Sequence, residues 1–166
     1  MKHIPIITTF TAILLIVSCG QNKQITTGLE GKPIPSINLL MIDSTTKINT
    51  ANLKDNEPVV FFFFSPQCPY CKLQTEDIIS NIKSLNNIHF YLVSSFPFRT
   101  LKQYYRQYEL ERYSNITVGR DYDYHFVDYY SVKSIPYIAV FNKDKILKKV
   151  FVGKTDINVI KSTALN

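Results

Sequence analysis

The stretch Pro58 to Phe64, PVVFFFF, is unbroken apolar and β-favouring sequence, and only Ser65-Pro66-Gln67 separates it from Cys68-Pro69-Tyr70-Cys71. A run of this kind, without polar alternation, suits a strand buried on both faces, and such strands lie inside sheets that carry helices on either side. From Tyr70 to about Leu85 the residues Leu73, Ile78, Ile79, Ile82 and Leu85 recur at helical spacing, and Asn86-Asn87 reads as a stop. The cysteine pair therefore falls where a central strand hands over to a helix. Pro69 suits the first helical turn, where its missing N–H costs nothing.

Three roles are open to such a pair. A structural zinc needs four ligands and the motif supplies two; His89 and His125 stand alone, one at the start of an expected strand and the other at the start of a short helix, and each reads as a surface or satisfied core histidine. A structural disulfide across three positions removes very little unfolded-state entropy. Reactivity remains. At a helix N-terminus the free backbone N–H groups and the positive end of the dipole favour a thiolate, so Cys68 is expected to attack. Cys71, one turn into the helix and more buried, is expected to resolve. Two thiolates could also hold Cu(I), so a binding module without redox turnover, for a soft metal or a partner peptide, is the alternative. No other cofactor is indicated.

Elsewhere the chain alternates. "IHFYLVSS" (88–95) reads as a strand, 100–113 as a helix, "NITVGRD" as a short strand and "HFVDYYSV" (125–132) as a short helix. After "SIP" comes "YIAVFN", a turn at Lys143-Asp144 and "KILKKVFVG", together a hairpin, and 155–165 forms a final helix behind a Thr-Asp cap. Before the central strand, "PIPSINLLMID" and "STTKINTANL" read as a strand, a return strand and a turn. The expectation is an α/β protein, a three-layer α/β/α sandwich whose sheet is mixed because the closing hairpin is antiparallel, with an N-terminal β extension.

The strand, the CPYC that opens a helix and the later "SIPYIAVF" resemble the thioredoxin-like fold, with Ile135-Pro136 in the position of that family's cis-proline. The resemblance spans about residues 33–165. It implies that the Ile135 loop stands beside Cys68 and offers its backbone to an extended client peptide, and that Pro69 and Tyr70 belong to the same client-binding surface. The additional helix and strand before Pro136 and the N-terminal hairpin are similar to the exported TlpA and ResA-like thiol:disulfide oxidoreductases, with Gly153 in the place of the glycine after their hairpin. Thioredoxins proper carry a buried acid six residues before the attacking cysteine, where this chain has Phe62. The TlpA-like enzymes often carry Glu three residues after the second cysteine, where it has Gln74. Glu76 is nearby but on the exposed side of the expected helix. The peroxiredoxin pattern Pro-x-x-x-Thr-x-x-Cys would require Pro and Thr where Phe61 and Ser65 stand. The aromatic cluster Tyr122, Tyr124, Phe126, Tyr129 and Tyr130 could form a client surface; a helix that turns Phe126 and Tyr130 inward is the expectation.

The compartment is written in the first residues. Lys2 and His3 precede an Ile, Leu, Phe and Val-rich stretch interrupted by Thr8, Thr9 and Thr11, too short for a membrane span of about 20 residues and typical of an export signal. Its end, Ile16-Val17-Ser18-Cys19, resembles the lipobox of bacterial lipoproteins, which implies that residues 1–18 are a signal peptide and that lipid is carried on Cys19. Of the 3 cysteines, that leaves Cys68 and Cys71 as a pair, without an odd reactive thiol in an oxidising space. Residues 19–32, polar and interrupted by glycines, read as a flexible tether, and 33–166 as the domain. The net charge of +6 comes from bases scattered among acids, as in "LKQYYRQYELERY", which fits a solvated surface and not nucleic-acid binding. The expectation is a periplasm-facing protein of a bacterial cell envelope, held to a membrane by lipid, and the resemblance to the TlpA-like enzymes implies that it reduces protein or peptide disulfides and draws electrons from a membrane thiol donor.

Overall fold

A computed structural model describes residues 23–53 and 56–166. The expected signal peptide and Cys19 lie outside the described residues. Among those described, no helix is long and apolar enough to cross a membrane.

The central strand is β4 (Val59–Phe63), every residue of which is buried. Its neighbours are β5 (His89–Ser94), parallel to it, and β7 (Tyr137–Phe141), antiparallel. Beyond β5 lie parallel β6 (Ile116–Arg120), then antiparallel β2 (Asn38–Met41) and β3 (Lys47–Asn49). Beyond β7 lie β8 (Leu147–Val152) and β1 (Lys23–Ile25). The described residues thus form an eight-stranded mixed sheet of order β1-β8-β7-β4-β5-β6-β2-β3.

Alternation along β4 explains why the run is apolar throughout. Val60, Phe62 and Phe64 enter one core with Ile78, Leu101, Tyr104, Ile157 and Ile160, which come from α1 (Pro69–Ser80), α2 (Phe98–Gln107) and α4 (Ile157–Leu165). Val59, Phe61 and Phe63 enter the other with Ile34, Ile37, Leu39, Phe126 and Tyr130. That second face is covered by the short α3 (His125–Tyr130) and by the N-terminal segment. The two successive parallel steps β4-α1-β5 and β5-α2-β6 move the same way across the sheet, so the right-handed crossover rule puts α1 and α2 on one side. The three-layer architecture is the expected one.

Two helices stop earlier than the sequence pattern suggests. After Ser80 the chain tightens into a 3-10 turn, Ile82–Leu85, which buries Leu85. After Gln107 it leaves α2 at Tyr108, passes through left-handed Glu109 (φ 48°) and makes a second 3-10 turn, Leu110–Arg112, which buries Leu110. The apolar spacing continues because 3-10 turns also return residues to one face.

The tether is the larger correction. From Lys23 onward the segment read as flexible is part of the sheet edge: Lys23, Gln24 and Ile25 pair with Val152, Phe151 and Val150. After a turn in which the Glu30 carboxylate accepts hydrogen bonds from the Thr27 and Gly28 N–H groups, both 2.9 Å, the pairing resumes. Gly31 N–H donates to the Leu147 carbonyl and Leu147 N–H to that of Lys32, both at 2.8 Å. Gly31 (φ 83°) makes this reversal in the left-handed region that side chains resist. Glycines that read as flexibility in the sequence serve here as turns.

Candidate active site

All three parallel strands end at the same edge of the sheet, and Cys68 follows the central one. Phe63, the last residue of β4, is paired with Tyr137, the first of β7, so the Ile135-Pro136 peptide lies at this edge beside the β4 exit. That peptide is cis. The Pro136 carbonyl accepts a hydrogen bond from Gly153 N–H at 2.8 Å, which closes the end of the hairpin, with Gly153 at φ 89°. Ile135 is half-buried and packs on both cores.

Cys68 is the N-cap of α1. Its extended backbone (φ −76°, ψ 120°) precedes Pro69 at the first helical position, and its sulfur accepts the Cys71 N–H at 3.4 Å. This is one of the donors that a helix start leaves unpaired. Cys68 N–H in turn donates to the Ser65 carbonyl at 3.1 Å, and the Cys68 carbonyl accepts from Lys72 N–H at 3.1 Å. Both thiols are free; Cys68 is partly exposed and Cys71 is 0% exposed within the first core. Burial pushes the Cys71 thiol well above its ordinary value, and its contact with Cys68 adds to the rise. The two sulfurs are thus unequal: one at the surface against a helix N-terminus, the other in an apolar interior. Pro69 and Tyr70 are exposed at the tip, Tyr70 at 63%.

Around Cys71 lie the two positions at which the sequence lacks an acid, Phe62 and Gln74, and two residues that sequence reasoning passed over, Thr75 and Tyr104. Phe62 is fully buried and its ring lies 5.5 Å from that of Phe64. Gln74, read as a missing acid, is 0% exposed, and its Oε1 accepts a hydrogen bond from Thr155 N–H at 2.7 Å. This ties the cysteine helix to the turn after β8, where Lys154 also forms an ion pair with Asp77 of α1. The other end of the same amide, Nε2, is buried without a protein partner. Thr75, one turn beyond Cys71, shares a 2.7 Å hydrogen bond with the Tyr104 hydroxyl of α2, both residues being buried. The spacing of Thr75 from Cys71 and the tyrosine-rich face of α2 were the available signals. Glu76 is exposed and accepts a long hydrogen bond, 3.4 Å, from Tyr108.

A cleft of about 320 Å³ opens beside the cysteine loop between α1 and α2, lined by Pro66, Gln67, Lys72, Thr100, Gln103 and Tyr104 among others. A larger cavity, about 380 Å³, lies at the opposite end of the sheet around Pro58, Asn142 and Leu165, far from the cysteines.

Asp121 is the other missed residue. It follows β6 at the same edge, is 0% exposed, and its Oδ2 accepts the Phe126 N–H at 3.0 Å. Burial raises its pKa, partly offset by the backbone N–H groups at the start of α3. Of the aromatic cluster, Phe126 and Tyr130 point inward while Tyr124 and Tyr129 are exposed. His89 hydrogen-bonds Thr117 Oγ1 at 2.8 Å, and His125 is exposed at the start of α3. Among the described residues no group of three or more His, Cys, Asp or Glu is close enough to hold a metal.

The Redoxin family model matches residues 29–164. No curated protein matches the chain. Among solved structures, a secreted Mycobacterium tuberculosis disulfide oxidoreductase superposes with TM-score 0.62 at 16% identity, covering 77% of this chain and 94% of the other. The thioredoxin domain of a thiol-disulfide oxidoreductase from Bacteroides vulgatus gives 0.62 at 14% identity, with 81% and 94% covered. A peroxiredoxin-like protein from Aquifex aeolicus gives 0.64 at 15% identity, with 81% and 85% covered. At these identities the likeness is one of fold.

Proposed function

The chain belongs to the Redoxin family, with a thioredoxin-like fold, and from that premise we propose that it is a dithiol:disulfide oxidoreductase that reduces protein disulfides through Cys68 and Cys71. The observation that carries this reading is the pairing of a partly exposed sulfur, Cys68 Sγ at the α1 N-cap with the Cys71 N–H on it at 3.4 Å, with a second thiol that is wholly buried one turn behind. The Cys68 thiolate attacks one sulfur of a client disulfide; a mixed disulfide forms and the other client sulfur leaves as a thiolate. Cys71, having given up its proton, then attacks Cys68 Sγ, and the Cys68–Cys71 disulfide forms as the second client sulfur departs. Two electrons pass to the client, and a membrane thiol donor returns them.

The Ile135-Pro136 segment, at the adjacent strand end, is the place where an extended client lays its backbone, with Pro69 and Tyr70 forming the rim. The lipobox-like Ile16-Val17-Ser18-Cys19 supports export and a lipid anchor on Cys19, so the domain works on the periplasmic side of a bacterial envelope membrane. One structural relative is described as peroxiredoxin-like; the second cysteine of this chain, three positions on, favours dithiol exchange.

The decisive experiment is a Cys71→Ser variant expressed in cells and trapped with acid and alkylating reagent. Mixed disulfides should accumulate on Cys68 and identify the clients by mass spectrometry. A trap that stays empty in oxidised and reduced cells alike, together with a wild-type pair that never exchanges with dithiothreitol or glutathione, would remove the proposal.

A further inference from the structure

The strand β1 changes what an anchor at Cys19 does. Lys23 is paired with Val152, Val152 with Tyr137, and Tyr137 with Phe63. These residues form one row across four strands, at the end of the sheet from which the chain runs on to Cys68. Adjacent strands lie about 4.8 Å apart, so Lys23 is about 14 Å from Phe63 along this row. Lys23 comes four positions after Cys19, a reach of at most about 14 Å. The turn at Lys143 and Asp144 lies at the other end of the same strands, roughly 17 Å further away.

A free tether over 19–32, as the sequence suggests, would let the domain present any face. The pairing along β8 removes that freedom, because the chain is held from Lys23 to Ile34, where Ile34 N–H donates to the Lys145 carbonyl at 2.9 Å. Resting on the lipid proposed for Cys19, we infer that the domain stands with its cysteine end toward the bilayer, and that the partner it fits is a cysteine pair held close to the membrane surface. Two features of this end agree with that orientation. Lys133 is exposed there with no ion-pair partner among the described residues, free to meet anionic headgroups. A cavity of about 270 Å³ lined by Ile25, Lys133, Ser134, Tyr137 and Val152 among others lies between β1 and the Pro136 loop, at the same end of the sheet.

The test uses the lipidated full chain in vesicles of phosphatidylcholine and phosphatidylglycerol that carry a headgroup quencher. In a Cys68→Ser, Cys71→Ser background a fluorophore is placed at Lys133→Cys or at Lys143→Cys. Quenching at 133 should exceed that at 143 by at least about twofold, given the strand length of about 17 Å between them. Ten Gly/Ser residues inserted between Asn22 and Lys23 should shrink the difference. Equal quenching, or more at 143, overturns the orientation while leaving the anchor in place. A mature protein whose mass shows no lipid on Cys19 overturns the anchor and the orientation with it. With wild-type cysteines, a disulfide peptide tethered to lipid by a short spacer should be reduced as fast as one on a long spacer; reduction of the long-spaced peptide alone would mean that the cysteines face away.

Discussion

Gln74 and Thr155 stand 81 positions apart in sequence and are joined in the core, where the Gln74 Oε1 accepts the Thr155 N–H at 2.7 Å. The bond fixes the cysteine-bearing helix to the turn that follows β8. A nonpolar replacement leaves a buried N–H unpaired.

Gln74→Leu should therefore destabilise the protein by about 1–3 kcal/mol in urea unfolding. Gln74→Glu keeps an acceptor for Thr155 but places a carboxylate where burial disfavours charge, so its folded pKa is raised above the unfolded value. Its stability should fall relative to wild type as pH rises from 4 to 7. A Gln74→Glu protein equally stable relative to wild type at both pH values would contradict this account of the site.

Asp121 carries the same logic in the native chain. Burial raises its folded pKa above the usual value, so the folded state holds the proton more tightly than the unfolded state. The stability that Asp121 supplies is then complete below the unfolded pKa and is lost as pH rises through the folded one. Asp121→Asn retains an acceptor for Phe126 N–H and removes the titration. The melting temperature of wild type minus that of the variant should decrease between pH 3.5 and pH 7, and a constant difference would count against the assignment.

Thiol reactivity should separate the cysteines. With Cys71 fully buried and its pKa raised by desolvation, iodoacetamide should modify Cys68 first in the reduced protein at pH 8, and Cys71 at least about tenfold more slowly. Because the Cys71 thiolate fraction grows only above its raised pKa, its rate should still be climbing above pH 9. Peptide mapping of the time course measures both sites, and equal rates would rule out the unequal pair.

Thr75 and Tyr104 form a buried hydrogen bond between α1 and α2. Tyr104→Phe keeps the ring that packs 4.8 Å from Phe64 but orphans the threonine hydroxyl, at about 1–3 kcal/mol. Thr75→Val strands the phenol in the same way. The double variant should cost less than the sum, because neither partner is then left unsatisfied. Additive costs in denaturant unfolding would show that the two hydroxyls do not act together.

The central strand, the helix that begins at Pro69 and the inequality of Cys68 and Cys71 are legible along the chain because each depends on near neighbours. PVVFFFF needs two covered faces whatever covers them, and a cysteine before Pro69 caps a helix through bonds to residues within four positions. The alternation that follows is enough to reach the sandwich, and Ile135-Pro136 is placed by the resemblance of SIPYIAVF to the thioredoxin-like fold. The roles of Gln74, Thr75 and Asp121 were hidden for the opposite reason. Gln74 and Thr75 bond to partners 81 and 29 residues away, and the charge cost at Asp121 comes from burial by elements that no local pattern names. The segment from Lys23 to Lys32 is the sharpest case. Its composition is that of a linker, yet its backbone completes the edge of β8. Strand pairing depends on main-chain N–H and C=O groups, which every residue but proline carries alike, so only the fold could choose which strand it joins.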